Sequence, residues 1–255
     1  MGDVKILATT NAPFEFEAPE GVEVVSIDED QPIPAEHLDA DGAIVPGWTS
    51  PAVTQLAREA THLRWVQTLA AGPDGVLAAN FPAQVTITNG RGLHNLTVAE
   101  TALTLALTGI RQVPEMLTAQ RERRWEHDAY GAWRTLRPEG RLGSVIDTNV
   151  LVWGFGAIGQ QIARNFTAMH AHVKGVANSA GERAGFKVFT DADLPTLLPQ
   201  TDVLVMVLPS APDTLKALNA ERIGQLPDHA FVVNVGRGVT VDQDALVAAL
   251  RDALL

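Results

Sequence analysis

Three glycines at a fixed spacing, in the stretch VLVWGFGAIGQQIARNF, indicate chemistry most clearly in this sequence. Gly154, Gly156 and Gly159 follow an apolar run and precede apolar residues at helical spacing. The first glycine permits a tight turn, the second lets the backbone approach a pyrophosphate, and the third allows close strand–helix contact. The pattern predicts a dinucleotide-binding loop, and a tight turn without a ligand is the alternative.

The residues after the next predicted strand bear on the choice between NAD and NADP. An acidic residue in this region normally binds the ribose 2′-hydroxyl, but here Asn178 and Ser179 end the strand, and the first acid is Glu182. A carboxylate would repel a 2′-phosphate, whereas Ser179 or Arg183 could contact it. We expect NAD or NADP with a slight preference for NADP, and the alternative is that Asn178 and Ser179 make a solvated turn.

Arg237 is the residue best suited to bind a small organic acid. It lies between two glycines, in NVGRG, directly after a predicted strand. Ligands of open α/β sheets bind at the carboxyl ends of the strands, and the planar guanidinium matches a carboxylate. A surface arginine in a Gly-rich turn is the alternative interpretation.

Short apolar strands and helices that alternate along the chain must position these residues. The predicted strands are Val4–Ala8, Val22–Ile27, Gly42–Val45, Leu63–Thr68, Val85–Thr88, Asn149–Trp153, His172–Ala177, Lys187–Phe189, Val203–Leu208 and Phe231–Val235. Predicted helices include one capped by Ser50 with Pro51 at its first position, a long one from Thr97 to Arg111, and one from Ala157 to His170. The pattern predicts two doubly wound parallel-sheet α/β domains, residues 1–93 and 94–255, the second a Rossmann domain.

Composition excludes several classes of function. The chain has 255 residues, of which 46% are hydrophobic and 19% charged, with a net charge of -11 and no cysteine. The negative charge makes nucleic acid an improbable partner. The lack of cysteine is compatible with a reducing cytoplasm, and the spacing of acids and histidines predicts no metal site. We found no signal peptide and no apolar run long enough for a membrane span, so we expect a cytoplasmic, soluble protein.

Several longer stretches carry a family resemblance. TVAETALTLALTGIRQV, VLVMVLPSAPDT and NVGRGVTVDQDALVAAL, with LRPEGRLGSVIDTNVLVWGFGAIG and WVQTLAAGPDGV, resemble the D-isomer-specific 2-hydroxyacid dehydrogenases. The resemblance covers nearly the whole chain. It implies a flavodoxin-like substrate domain that closes over a small 2-oxo or 2-hydroxy acid, such as glyoxylate or hydroxypyruvate, and a second domain that binds NAD(P).

The resemblance also assigns roles to residues. Arg237 matches the arginine that grips the substrate carboxylate and carbonyl, the backbone of Ala71 and Gly72 matches the carboxylate-receiving loop, and Thr97 to Ile110 falls in a helix that contributes to a homodimer. The expected cofactor-binding residues are Gly154, Phe155, Gly156, Ala157, Ile158, Gly159, Asn178, Ser179, Leu208, Pro209, Val235 and Gly236.

Some family features are absent or altered. In the family a His paired with a Glu supplies the proton, and both follow the helix, here Asp242 to Leu255, with which this sequence ends. We therefore assign no catalytic His or Glu, and we expect His94 to contact substrate or to be a hydrogen-bonded hinge residue. Thr101 and Asp147 replace a His and a Gly found in many relatives. A catalytically impaired NAD(P)(H)-binding or sensor module is the alternative function.

Overall fold

The computed structural model describes residues 4–10, 17–125, 136 and 140–252. The chain divides into two compact units, Met1–His94 and Asn95–Leu255. The division falls directly after His94, beside the boundary that the sequence placed at Leu93. Each unit has its own sheet and its own core of buried apolar side chains.

Unit 1 contains a five-stranded sheet in which every described pairing is parallel. The strand order is β2-β1-β3-β4-β5, the flavodoxin-like order, which confirms the predicted class. The elements are β1 (Val4–Thr9), β2 (Val22–Ile27), β3 (Gly42–Val45), α1 (Pro51–Glu59), β4 (Trp65–Thr68), α2 (Asp74–Leu77) and β5 (Thr86–Thr88).

Helix α1 begins where the sequence predicted a cap. The Ser50 hydroxyl accepts a hydrogen bond from the Val53 amide at 3.2 Å, and Pro51 occupies the first turn, where its missing N–H costs nothing. Val53 and Leu56 are buried, so this face of the helix packs on the sheet with the inward side chains of the central strands. The loops that follow the strands are thereby held at the carboxyl edge.

Unit 2 contains a six-stranded sheet with the order β11-β10-β6-β7-β9-β8. Its pairings are parallel except that of β8 with β9. The described elements are α3 (Asn95–Ile110), α4 (Val113–Arg121), β6 (Asn149–Trp153), α5 (Ala157–Ala168), β7 (His172–Val176), β8 (Gly181–Arg183), β9 (Phe186–Phe189), α6 (Leu194–Leu197), β10 (Val203–Met206), α7 (Ala220–Ile223), β11 (Phe231–Asn234) and α8 (Gln243–Asp252). This arrangement confirms the Rossmann-type prediction.

Several described elements of unit 2 were not predicted, among them strand β8 and helices α4, α6 and α7. Strand β8 forms a hairpin with β9 through Ala184 and Gly185, which both have positive φ, at 53° and 82°. This is the backbone that a two-residue hairpin loop requires. Helix α4 starts after Gln112, whose left-handed conformation separates it from α3.

The two departures from the family pattern are accommodated by local geometry. Asp147 has a φ of 59°, a left-handed conformation in which glycine is unstrained, so the preference for Gly here has a steric cause. Its carboxylate also lies 2.8 Å from Nε2 of His172. Thr101 is exposed on α3, and its hydroxyl donates to the Thr97 carbonyl at 2.9 Å. Neither residue disrupts its element.

Apolar clusters cover both faces of the unit 2 sheet, as the runs of Val and Leu in its strands predict. Helices α3 and α5 pack against each other and contribute to one cluster, which contains Val152 and Val205. The opposite cluster contains Trp153, Leu204 and Met206. The central strands are thus buried on both sides, and their carboxyl ends are free to carry polar loops.

Candidate functional site

The Gly-rich loop between β6 and α5 has the geometry that its spacing predicted. Gly154 has a φ of 108°, and a Cβ atom there would lie 2.6 Å from the Val207 carbonyl oxygen. A Cβ atom on Gly159 would lie 2.2 Å from the carbonyl oxygen of Gly154. Both glycines are therefore required by packing within the protein, whatever the loop binds.

Gly156 differs from its two neighbours, because a Cβ atom at this position would meet no atom within 4 Å. It is the exposed residue before α5, and no side chain caps the helix there. The first N–H groups of a helix lack intrahelical partners and, with the helix dipole, favour an anion. The open space at Gly156 therefore fits a pyrophosphate.

The other residues of the loop act through their backbone. Phe155 is 1% exposed, and its ring meets that of Phe186 edge-on, with the centroids 5.8 Å apart. The ring also fills the space where a Cβ atom on Gly175 would lie, only 2.2 Å away. The expected cofactor contact of Phe155 can therefore involve only its main chain. Ala157 and Ile158 form the first turn of α5, where their amides face the same space.

The end of β7 carries the residues expected to bind the adenosine ribose. Asn178 and Ser179 are exposed there. Arg183 donates to the Ser179 hydroxyl at 2.5 Å and to its carbonyl at 2.9 Å. A longer hydrogen bond, of 3.4 Å, joins Arg183 to the carbonyl oxygen of Phe155. Strand β8 thus places a guanidinium group between the end of β7 and the Gly-rich loop.

The loops after β6, β10 and β11 touch one another. A Cβ atom on Gly154 would meet Val207, and one on Gly236 would lie 2.6 Å from the carbonyl oxygen of Leu208. The Leu208 side chain is 9% exposed and belongs to the core, so its predicted cofactor contact is also one of backbone. Pro209 is exposed, and its carbonyl accepts a hydrogen bond from the Thr214 hydroxyl at 2.7 Å.

The turn that carries Arg237 is fixed by two side chains that the sequence did not single out. The Asn234 amide oxygen accepts from the Gly236 amide at 2.9 Å, and its nitrogen donates to the Arg237 carbonyl at 3.1 Å. Thr240, which is fully buried, donates to that carbonyl at 2.6 Å. Val235 precedes the turn and hydrogen-bonds through its amide to Met206. Arg237 is half-buried, and the side chains of Asn234 and Thr240 fix its turn through hydrogen bonds.

A backbone hydrogen bond and an ion pair fix the segment around Lys216 next to this turn. Lys216 donates its amide to the Val239 carbonyl at 2.8 Å and pairs with Asp242 at 3.2 Å. The hydrogen bond from Lys216 holds the pKa of the Asp242 carboxyl below its usual value. The pair ties the segment after β10 to the start of α8.

Unit 1 presents the turn expected to receive a carboxylate. Ala71 and Gly72 follow β4 and are half-buried. His94 does not point freely into solvent, because its Nε2 atom lies 3.0 Å from the Leu69 carbonyl oxygen at the start of that turn. His94 therefore braces the turn, consistent with the expected hydrogen-bonded role.

The fold and the loops of unit 2 define the class of domain to which it belongs. An α/β unit with a Gly-rich strand-to-helix loop, open at Gly156, is a dinucleotide-binding domain. The sequence profile of the D-isomer specific 2-hydroxyacid dehydrogenase NAD binding domain matches residues 103–255, more than half of the chain. The chain belongs to the D-isomer specific 2-hydroxyacid dehydrogenase family.

Individual relatives agree with this assignment. A glycerate dehydrogenase from Methylorubrum extorquens is 27% identical over 202 residues, which are 78% of this chain and 60% of the relative. A family protein from Aeromonas salmonicida superposes with a TM-score of 0.80 at 25% identity, covering 99% of this chain and 79% of that chain. An NADPH-dependent glyoxylate/hydroxypyruvate reductase from Sinorhizobium meliloti, solved with NADP and malonate, has a TM-score of 0.73 at 27% identity, covering 99% of this chain and 77% of that chain. The chain spans 36% to 60% of the length of the curated relatives it matches.

The described residues lack two features. No helix in residues 4–10, 17–125 and 140–252 is both long and apolar enough to cross a membrane. Within the same part of the chain, no group of three or more His, Asp or Glu side chains is arranged to hold a metal ion.

Proposed function

We propose that this protein is an NAD(P)-dependent oxidoreductase that transfers a hydride between the cofactor and a small 2-oxo or 2-hydroxy acid, of the glyoxylate or hydroxypyruvate type. One observation carries the proposal: the phosphate-binding loop and the turn with Arg237 are linked through contacts with the Val207–Leu208 segment at the carboxyl edge of one sheet. Relatives named glycerate dehydrogenase and glyoxylate/hydroxypyruvate reductase support the substrate class.

Arg237 is assigned to the substrate carboxylate and carbonyl oxygen. When bound, NAD(P)H supplies a hydride to the carbonyl carbon, while the electrons of the C=O π bond move to the oxygen, which takes up a proton. The fork of N–H donors on Arg237 stabilises the negative charge that develops on this oxygen. The backbone of Ala71 and Gly72 is assigned to the carboxylate, with His94 holding that turn through Leu69.

We infer that NADP is preferred over NAD. Arg183 is already oriented by Ser179 at the end of β7, where a ribose 2′-phosphate lies in a dinucleotide-binding fold. Neighbouring side chains on a strand point to opposite faces, so Glu182 points away from the face of Arg183. The Sinorhizobium meliloti relative is named NADPH-dependent, which supports the same preference.

We also infer a homodimer that forms through the Thr97–Ile110 region. One leucine of this region, Leu105, is 47% exposed. Burial of its side chain against a second copy of the chain would be favourable.

Oxidation of NADPH and NADH in the presence of a panel of 2-oxo acids tests the proposed reaction. We expect turnover with NADPH, and Arg237→Ala should lower kcat/KM about 10²–10³-fold while NADPH binding, measured by calorimetry, is retained.

The preference for NADP is tested separately: Arg183→Ala should weaken NADPH binding and leave NADH binding unchanged. Arg164→Ala, which removes an exposed arginine from α5, is the control. Cofactor binding without any turnover, and with no effect of Arg237→Ala, would instead favour the binding or sensor module.

A further inference from the structure

Thr68 is a fully buried polar residue at the carboxyl end of β4, directly before the turn that carries Ala71 and Gly72. Its hydroxyl donates to the Pro46 carbonyl at 3.2 Å and accepts from the Ala70 amide, also at 3.2 Å. Pro46 follows β3, so this one hydroxyl connects the loops that leave two neighbouring strands. Because both its donor and an acceptor position are used, it fixes the two loops relative to each other.

The main-chain groups of Leu69 and Ala70 have partners within unit 1. The Leu69 amide donates to the Val45 carbonyl at 3.0 Å, and its carbonyl oxygen lies 3.0 Å from Nε2 of His94. The Ala70 carbonyl accepts from the Gly90 amide at 2.8 Å, and the Ala70 amide donates to the buried hydroxyl at the end of β4. The start of the turn is therefore attached to the segments after β3 and after β5.

The next two amides differ from these. Among the residues that the structure describes, none accepts a hydrogen bond from the amide of Ala71 or of Gly72. Backbone N–H groups that point at a carboxylate form charge-assisted hydrogen bonds with it. Since the chain reaches these two residues directly from Ala70, the direction of their N–H groups depends on how Ala70 is held.

Packing leaves the start of the turn little freedom to move towards its neighbours. A Cβ atom on Gly47 would lie 2.0 Å from that of Ala70, and a Cβ atom on Gly90 would lie 2.2 Å from the Leu69 carbonyl oxygen. The loops on both sides are thus already in contact with the turn. Its remaining freedom is to rotate, and the hydrogen bond between the Ala70 amide and Thr68 opposes that rotation.

On the basis of the proposed function, we propose that Thr68 is a positioning residue, whose hydroxyl directs the amides of Ala71 and Gly72 towards the substrate carboxylate. Its side chain is fully buried, so it acts through Ala70 and not through contact with the substrate. A carboxylate carries the same charge before and during hydride transfer. Loss of the hydroxyl should therefore weaken substrate binding more than it slows the chemical step.

The experiment measures KM and kcat for glyoxylate, Ki for the unreactive analogue oxamate and Kd for NADPH, in the full chain and its variants. Thr68→Val keeps the shape of the side chain but removes the hydroxyl, so KM and Ki should rise about 5–20-fold. The change in kcat should stay below about 3-fold and that in the NADPH Kd below about 2-fold. Thr68→Ser, which keeps a hydroxyl, should restore most of the wild-type KM and Ki.

Thr201→Val is the matched control for a loss of stability. Thr201 is 3% exposed, and its hydroxyl donates to the Leu197 carbonyl at 2.9 Å in unit 2. This change should lower the melting temperature about as much as Thr68→Val and leave KM and Ki unchanged. Equal rises in Ki for Thr68→Val and Thr68→Ser, or a rise no larger than that for Thr201→Val, would overturn the proposal. A comparable loss of NADPH affinity in Thr68→Val would overturn it as well.

Failure of the proposed reaction can be told apart from failure of this inference. If the wild-type chain reduces no 2-oxo acid, the proposed function is wrong, and binding becomes the measurement. Saturation-transfer NMR with pyruvate should then give a methyl signal for the wild type, Thr68→Ser and Thr201→Val that is lost in Thr68→Val. Equal signals in all four proteins, or no signal in the wild type, would overturn the role of Thr68.

Discussion

At the residue scale, the three glycines of the phosphate-binding loop have different roles: two are required by packing within the protein, and one leaves space for a ligand. Gly154 and Gly159 are needed because backbone atoms occupy the space of a side chain, whereas the space at Gly156 is open. We expect Gly156→Ala to leave the melting temperature within about 2 °C and to weaken NADPH binding at least tenfold. Gly159→Ala is the comparison and should lower the melting temperature clearly. Unchanged NADPH binding by Gly156→Ala would contradict the assignment of this space to the pyrophosphate.

Asn234 provides a second test at this scale. Because its amide bonds to both Gly236 and Arg237, we expect Asn234→Ala to disorder the turn and to lower kcat/KM. In an Arg237→Ala background the same change should have little further effect, since residues that act through one group are not additive. A double-mutant cycle on kcat/KM, with NADPH affinity as a separate readout, measures this coupling. Fully additive losses would show that Asn234 does not act through Arg237.

At the scale of elements, the buried strands were the easiest to predict and the edge hairpin the hardest. Gly42–Val45 and Asn149–Trp153 have the bounds that their apolar runs predicted, because burial on two faces leaves a strong pattern. The edge strand Val22–Ile27 also has its predicted bounds, although Ile27 alone among its residues is buried. Strand β8 has three residues and no apolar run, and its turn puts Ala184 in a left-handed conformation usually taken by Gly or Asn. The Gly-rich loop could likewise be predicted from its spacing, whereas the hydrogen bonds of Asn234 depend on a turn geometry that composition does not reveal.

Asp202 connects three strands at the end of the unit 2 sheet opposite the candidate site. It is 3% exposed, and its carboxylate accepts from the Asn149 amide at 2.7 Å and lies 2.8 Å from Nε2 of His229. Its carbonyl accepts from the Phe231 amide. We expect Asp202→Ala to cost about 1–3 kcal/mol, since partly buried donors on two segments lose their partner, and to lower the melting temperature by several degrees in calorimetry. Asp228→Ala, at an exposed position nearby in sequence, is the control, and an equal effect of the two changes would refute this role.

At the scale of the whole molecule, association should depend on helix α3. Light scattering coupled to gel filtration should give twice the chain mass of 27.3 kDa for the wild type. Leu105→Asp places a charge on the exposed face of this helix and should shift the mass to that of one chain, because a desolvated carboxylate without a partner is costly. Leu250→Ala should leave the mass unchanged. A single-chain mass for the wild type, or a dimer that tolerates Leu105→Asp, would exclude this helix as the interface.

The hairpin of β8 and β9 also bears on how the protein avoids aggregation. A parallel sheet that ended on β9 would expose a row of unpaired backbone groups, on which a strand from another molecule could add. Strand β8 covers that row with only three residues, and the exposed carboxylate of Glu182 lies at its centre. A short, charged antiparallel strand is a poor template for further pairing. The same three residues that bring Arg183 to the end of β7 therefore also make this edge of the sheet unfavourable for pairing with a strand of another molecule.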